Sequence, residues 1–315
     1  MSDLRKAMEQ YLATRRSLGF QLRQPEATLR KFVAFAEAQG VVFITVDLML
    51  RWAKTLSNVQ PSTRADWLAM VRRFALWRST ADPRTEVPPE NLLPARYHRK
   101  PPYIYTDEEI ERLVHTAADL PSSGGLRGST YSTFFGLIAV TGMRMSEALA
   151  LDRDDVDLEQ GVLTIQRTKF GQSRLVPVHS STCTALQRYA ERRDRLLPNP
   201  ATPAIFLAEH GTRITKWSAA YTFAKVSQRI GLRTPVRGRR HGWGPRVHDI
   251  RHRFAVRTLI DWYRAGLDVE REVPKLATFL GHVHVNDTYW YLEAVPELLQ
   301  LATDRLRDRR PEELP

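Results

Sequence analysis

Cysteine is nearly absent. Cys183 stands alone among 315 residues, so the chain can build no internal disulfide framework, no Cys-based zinc finger and no iron–sulfur cluster. That usage fits a reducing compartment. Long apolar runs are missing too: the longest nearly unbroken one, from Phe134 to Met143, falls far short of the roughly 20 residues a membrane helix needs. Met1-Ser2-Asp3-Leu4-Arg5-Lys6 lacks the apolar core of a signal peptide. A cytoplasmic chain with no membrane partner is expected. There is no internal repeat and no low-complexity tail. Acidic charge is in short supply, with 35 Asp+Glu against 47 Lys+Arg for a net +12, and Arg far outnumbers Lys. Such an excess favours a polyanionic partner, nucleic acid more often than an anionic membrane surface, although a GC-rich genome also enriches Arg. Core material is plentiful. A hydrophobic fraction of 43% beside 26% charged residues is ordinary for a globular protein, and the length suggests two domains at about 150 residues each.

Residues 3–81 read as helices. Leu4, Met8, Tyr11 and Leu12 keep a 3.6-residue rhythm, as do Leu29, Phe32, Val33 and Ala36, then Met49, Trp52, Ala53 and Leu56. A fourth helix from about Ser62 sets Trp67, Met70, Val71, Phe74 and Trp77 on one face. The polar faces carry Arg15, Arg16, Arg30, Lys31, Arg64, Arg72 and Arg73, which suit either a solvated helical surface or a clamp on a phosphate backbone. Proline then crowds residues 82–105 and predicts an extended, semi-rigid linker. Thr106 with Glu109 makes a capping box that opens a second domain ahead of Ile110, Leu113 and Val114. Within it, residues 133–151 read as helix with a break at Thr141-Gly142. Residues 162–165 and 174–178 read as paired strands around a tip at 168–172, and helix resumes after Ser180 apart from 233–246. The expected fold is mainly α with a small β-hairpin sheet: a helical domain over 1–81, a linker over 82–105 and a second domain over 106–315.

Four short segments carry the chemistry, and each is ambiguous alone. Arg144 and Glu147 lie three apart after a glycine turn, as in an ordinary intrahelical ion pair. Lys169 beside a glycine suits a solvated hairpin tip. His248 and Arg251 share a helical face, with His252 next to them, and Leu280-Gly281-His282 is followed by Tyr289-Trp290-Tyr291. The histidines, with His241 and His284, invite a metal reading. However, His248/His252 lack the intervening Glu of a zincin helix, and the cluster is richer in Arg than in carboxylate, so no metal is expected.

In order, Arg144 with Glu147, Lys169, His248 with Arg251, Gly281-His282, and Tyr291 nine residues after that histidine resemble the tyrosine recombinase (phage integrase) family, including Xer-type recombinases and integrases of mobile elements. The resemblance spans about residues 105–300 and, more weakly, the N-terminal helices, which look like the family's core-binding (SAM-like) domain. Two departures stand out. The stretch 235–246 is longer and more basic than the family minimum, and 266–282 is about four residues longer than in the short Xer pattern.

The resemblance implies a site-specific DNA recombinase working through a 3′-phosphotyrosyl intermediate, without cofactor or ATP. The chemistry accounts for the residue types. Two forked guanidiniums, Arg144 and Arg251, suit the nonbridging oxygens of a phosphodiester transition state, and His282 can add a hydrogen bond. A tyrosine hydroxyl titrates near 10, so ionising Tyr291 at pH 7 costs roughly 4 kcal/mol, which His248 as general base would relieve. Lys169 would protonate the departing 5′ oxygen, and Glu147 would orient Arg144. His252 reads as a packing or helix-end residue. Candidate DNA contacts are Arg30, Lys31, Arg64, Arg72, Arg73, Arg237, Arg239 and Arg240. The implied partners are duplex DNA with inverted-repeat half-sites and further copies of the chain in a tetramer on DNA. The apolar segment 296–307 would dock either on a neighbouring protomer or on its own domain, and accessory recombinases are left open. The rival readings are a type IB topoisomerase and a DNA-binding protein that no longer cleaves; no RNP or KH signature supports RNA.

Overall fold

The computed structural model describes residues 3–93, 102–166, 173–236 and 239–308. The chain divides into two compact units, Met1–Lys100 and Pro101–Pro315. In the first, the apolar rhythm produces four helices: α1 (Asp3–Ser17), α2 (Arg23–Ala38), α3 (Val46–Thr55) and α4 (Pro61–Ser79). Thr45 caps α3 by accepting from the Leu48 N–H at 3.1 Å, and Pro61 sits at the start of α4, where a missing N–H costs nothing. Leu4, Met8, Phe32, Val33, Trp52, Val71 and Phe74 close into one buried core, with Phe32 and Trp52 packed edge to face at 5.4 Å.

The proline-rich stretch is less independent than its composition suggests. Residues 82–93 bind this first unit. The Glu86 N–H donates to the Ile44 carbonyl at 2.8 Å, Arg72 Nε donates to the Pro88 carbonyl at 2.9 Å, and Leu92 and Leu93 pack on the helical core. Proline removes backbone donors, but the residues between prolines still reach partners, so half of this stretch serves as a strap on the helices.

The second unit opens with the Thr106–Glu109 capping box, both of whose hydrogen bonds form. It begins α5 (Asp107–Ala118), which packs on α6 (Arg127–Thr141); a Cβ on Gly128 would come within 2.1 Å of the Ala118 carbonyl oxygen, so only glycine permits this approach. The break at Gly142 separates α6 from the short α7 (Met145–Ala150). A three-stranded antiparallel sheet follows in the order β1 (Val156–Asp157), β2 (Val162–Ile165), β3 (Arg174–Pro177), with Ile165 opposite Arg174. Then come α8 (Ser180–Leu196), α9 (Lys216–Arg229) and a two-stranded hairpin of β4 (Thr234–Val236) and β5 (Arg239–Trp243). The chain ends in α10 (Val247–Arg264), α11 (Val269–Leu280), α12 (Asn286–Ala294) and α13 (Pro296–Asp308). Ala255, Leu259, Val273, Leu276, Leu280 and Leu298 form a core between these last helices, so α13 docks on its own domain, while Leu299 beside it stays 50% exposed. Among the described residues, no helix is long and apolar enough to cross a membrane.

Candidate active site

The site is built on the end of α11. A helix leaves its last carbonyls without intrahelical donors, and they carry the negative end of the helix dipole. Here three arginines from three separate segments supply the donors. Arg174 Nε reaches the Phe279 carbonyl, Arg251 Nη2 the Leu280 carbonyl and Arg144 Nη2 the Gly281 carbonyl, each at 2.8 Å. Arg251 Nη1 also donates to the carbonyl of Gly142, at the end of α6, at 2.8 Å. Both glycines cap their helices in the left-handed region, with φ of 60° and 69°, and a Cβ on Gly281 would come within 2.7 Å of Arg174.

Glu147 ties two of these arginines together. It accepts from Arg144 Nη1 at 2.8 Å and from Arg174 Nη1 and Nη2 at 3.1 and 2.8 Å, and a fourth donor is the Arg144 backbone N–H at 2.8 Å. Burial would raise this carboxyl, but the hydrogen bonds and charge of Arg174, then those of Arg144, outweigh it and hold the pKa at about 2. Arg251 is 2% exposed. Burial, then repulsion from Arg144, lowers its pKa to about 10, which leaves it charged at neutral pH.

Three histidines and a tyrosine face this cluster. His248, on the first turn of α10, keeps an open side to solvent. Desolvation in the cleft first, and the Arg251 charge second, still hold it below the usual imidazole value. His282 lies just past α11 with Nδ1 2.7 Å from the buried Thr288 hydroxyl. Desolvation and then Arg251 lower its pKa to about 4. Tyr291, on α12, is 2% exposed. Its ring stacks on His282 at 6.2 Å, and its hydroxyl lies 3.2 Å from Nδ1 of His252. Tyr289 points elsewhere on the same helix and is 37% exposed.

The structure thus brings together Arg144, Glu147, His248, Arg251, His282 and Tyr291. Lys169 lies outside the described residues, although β3, which follows it, carries Arg174 into the site. Sequence reasoning passed over two residues here. In the sequence Arg174 is a strand residue, and nothing local marks a partner 27 positions away. His252 reads as packing in the sequence, and its place one turn after His248 is the signal that points to the site. Among the described residues, no group of three His, Cys, Asp or Glu could hold a metal ion.

The candidate DNA contacts are scattered. Arg64 Nη2 donates to the Leu56 carbonyl at 2.9 Å, Arg72 binds the strap, Arg30 pairs with Glu26 at 2.8 Å, and the Lys31 ammonium sits 4.7 Å over the Trp67 ring. Arg73 is exposed. Arg239 and Arg240 fall on β5, and Arg237 lies outside the described residues.

A small antiparallel sheet among helices, with an arginine–histidine–tyrosine cleft, points to the tyrosine-type site-specific recombinases, a class of DNA strand-transfer enzymes. The chain belongs to the phage integrase family, whose model matches residues 104–297. It is 46% identical over 313 residues, 98% of both chains, to a Sinorhizobium fredii protein named as an integrase/recombinase, y4rB. It is 29% identical to the tyrosine recombinase XerD of Neisseria meningitidis serogroup B over 76% of this chain and 75% of that one. Two solved structures share the fold. The Tn1549 transposon integrase in complex with transposon right end DNA aligns with a TM-score of 0.64 at 16% identity, over 96% of this chain and 99% of that one. A lambda integrase tetramer bound to a Holliday junction aligns with a TM-score of 0.59 at 14% identity, over 89% and 77%.

Proposed function

We propose that this recombinase cuts and rejoins duplex DNA through a 3′-phosphotyrosyl bond on Tyr291. The observation that carries the reading is the meeting of two forked guanidiniums, Arg144 and Arg251, beside that tyrosine at the end of α11. The arginines hold the nonbridging oxygens, and His282 donates through Nε2 when its Nδ1 accepts from Thr288. His248, neutral at pH 7, takes the Tyr291 proton as the hydroxyl attacks phosphorus. Lys169 protonates the 5′ oxygen as its bond to phosphorus breaks, and Glu147 holds Arg144 in place. The covalent link conserves the phosphodiester energy, so a second strand's 5′-hydroxyl can displace the tyrosine without ATP. Charge that a metal would otherwise bring comes from the guanidiniums.

The helical unit of residues 1–81 and the basic residues named above would grip the duplex at inverted-repeat half-sites of nucleoid DNA, with four protomers assembling on it. The lambda integrase tetramer supports that assembly, y4rB supports an integrase or recombinase activity, and the Tn1549 transposon integrase supports a role in a mobile element.

The test uses a duplex recovered from a randomised library by repeated binding to the full-length protein. Wild-type protein should leave a DNA band covalently attached after denaturation, in excess EDTA as well. Tyr291→Phe should bind the duplex normally and leave none, whereas Tyr289→Phe still forms the adduct. Lys169→Ala should be crippled on ordinary DNA and recover much of its rate when sulfur replaces the 5′-bridging oxygen. Strict magnesium dependence, or an adduct mapped to Tyr289, overturns the reading.

A further inference from the structure

His252 stands outside the catalytic set, yet it touches the nucleophile. It follows Arg251 on α10 and lies one turn beyond His248, whose ring it meets edge to face at 4.5 Å. Its ring is walled by Trp290 and Tyr291, each at 5.4 Å, and its Nδ1 is 3.2 Å from the Tyr291 hydroxyl. Tyr291 itself is 2% exposed, so the hydroxyl is held inside the protein before any DNA arrives. Desolvation and the neighbouring His248 lower the His252 pKa to about 4, so the ring is neutral at pH 7 and can accept a hydrogen bond. So weak a base is poorly matched to removing a proton from a phenol.

We infer that His252 is a positioning residue for the nucleophile: in the resting site it accepts the Tyr291 hydroxyl hydrogen at Nδ1, fixing the rotation of α12 and the direction in which the tyrosine oxygen points, and the hydrogen turns to His248 as the hydroxyl attacks. This inference rests on the proposed phosphotyrosyl chemistry and adds a residue to it. Removing the acceptor should slow attack by Tyr291 and leave activation of the scissile phosphate by Arg144 and Arg251 untouched.

The experiment separates these two effects. The library-selected duplex, nicked so that the cleaved fragment diffuses away, gives the rate of adduct formation on a denaturing gel. His252→Phe should form adduct 10- to 100-fold more slowly than wild type with duplex affinity unchanged. His252→Asn, whose Oδ1 stands near the place of Nδ1, should recover to within a few-fold. In a Tyr291→Phe background, hydrogen peroxide serves as an external nucleophile: hydroperoxide attacks the phosphorus, and the 5′ oxygen leaves with a proton. That rate should be the same within twofold with His252 or Phe at position 252. An unchanged adduct rate in His252→Phe overturns the inference, as does an equal fall in the peroxide reaction, which marks a structural role. His252→Leu makes the same comparison with a smaller side chain if Phe disturbs folding. No adduct from wild type overturns the function reading as well.

Discussion

Arg174 is a residue of the site that the sequence did not single out. Its guanidinium spans Glu147 and the Phe279 carbonyl with only 10% of its side chain exposed. Arg174→Ala leaves a buried carboxylate with fewer partners, a class of change that costs about 3–5 kcal/mol. Adduct formation should fall with it, because Arg144 loses its brace. Arg174→Lys should recover little, since an ammonium cannot bridge a carboxylate and a carbonyl as a planar fork does. Chemical denaturation and the adduct assay check both statements, and an Arg174→Lys variant of wild-type stability and rate would refute them. Much of the site was legible at this scale. Arg144 with Glu147 and His248 with Arg251 stand at fixed spacings because each pair shares a cap or a helix turn, and Tyr291 follows His282 by nine residues, across the turn between α11 and α12. Arg174 was not legible as a site residue, because its partner lies 27 positions away and depends on how strands and helices pack; His252 had only its spacing from His248 to mark it, since its partner lies 39 positions away.

Among elements, α13 is one whose composition leaves two docking places open. Its apolar residues suit either a partner protomer or the parent domain, and the structure uses Leu298 on α10 while leaving Leu299 exposed. Leu298→Ala should therefore destabilise the second unit by about 2–4 kcal/mol, while Leu299→Ala changes stability by less than about 0.5 kcal/mol. Urea denaturation of the DNA-free protein distinguishes them; equal effects would mean that α13 docks another way. The four N-terminal helices, the α6 break and the β2–β3 pairing were readable because apolar period and turn residues agree there. The β4–β5 hairpin was not, because Pro235, Gly238 and a run of arginines hide any alternation.

At the scale of the whole molecule, acid should act in two stages. His252 and His282 titrate near 4 in the folded chain and His248 below its usual value, against about 6.5 when unfolded. Between those limits the unfolded chain binds more protons, so stability should fall as pH drops from about 6.5 towards 4. Glu147, held at about 2, contributes stability that is complete above about 4.5 and is lost as pH falls towards 2. Melting temperatures at pH 7, 5.5 and 4.5 should decline, and a His252→Asn, His282→Asn double variant should flatten the upper stage. A flat profile in the wild type would refute the assignment. DNA affinity should answer to salt instead, falling steeply between about 50 and 200 mM, and a chain lacking residues 1–100 should lose most of it.

The end of α11 also sets where this chain can tolerate insertions. Three arginines, from the cap of α7, from β3 and from α10, fix Phe279, Leu280 and Gly281 from outside, so the position of His282 does not depend on the path by which the chain reaches α11. Residues added in the turn between α10 and α11 should therefore leave the site in place. One residue inserted between Phe279 and Gly281 would turn those carbonyls by about 100° and unseat all three arginines. Length is thus free on the approach to α11, while register is fixed at its end by the same three contacts.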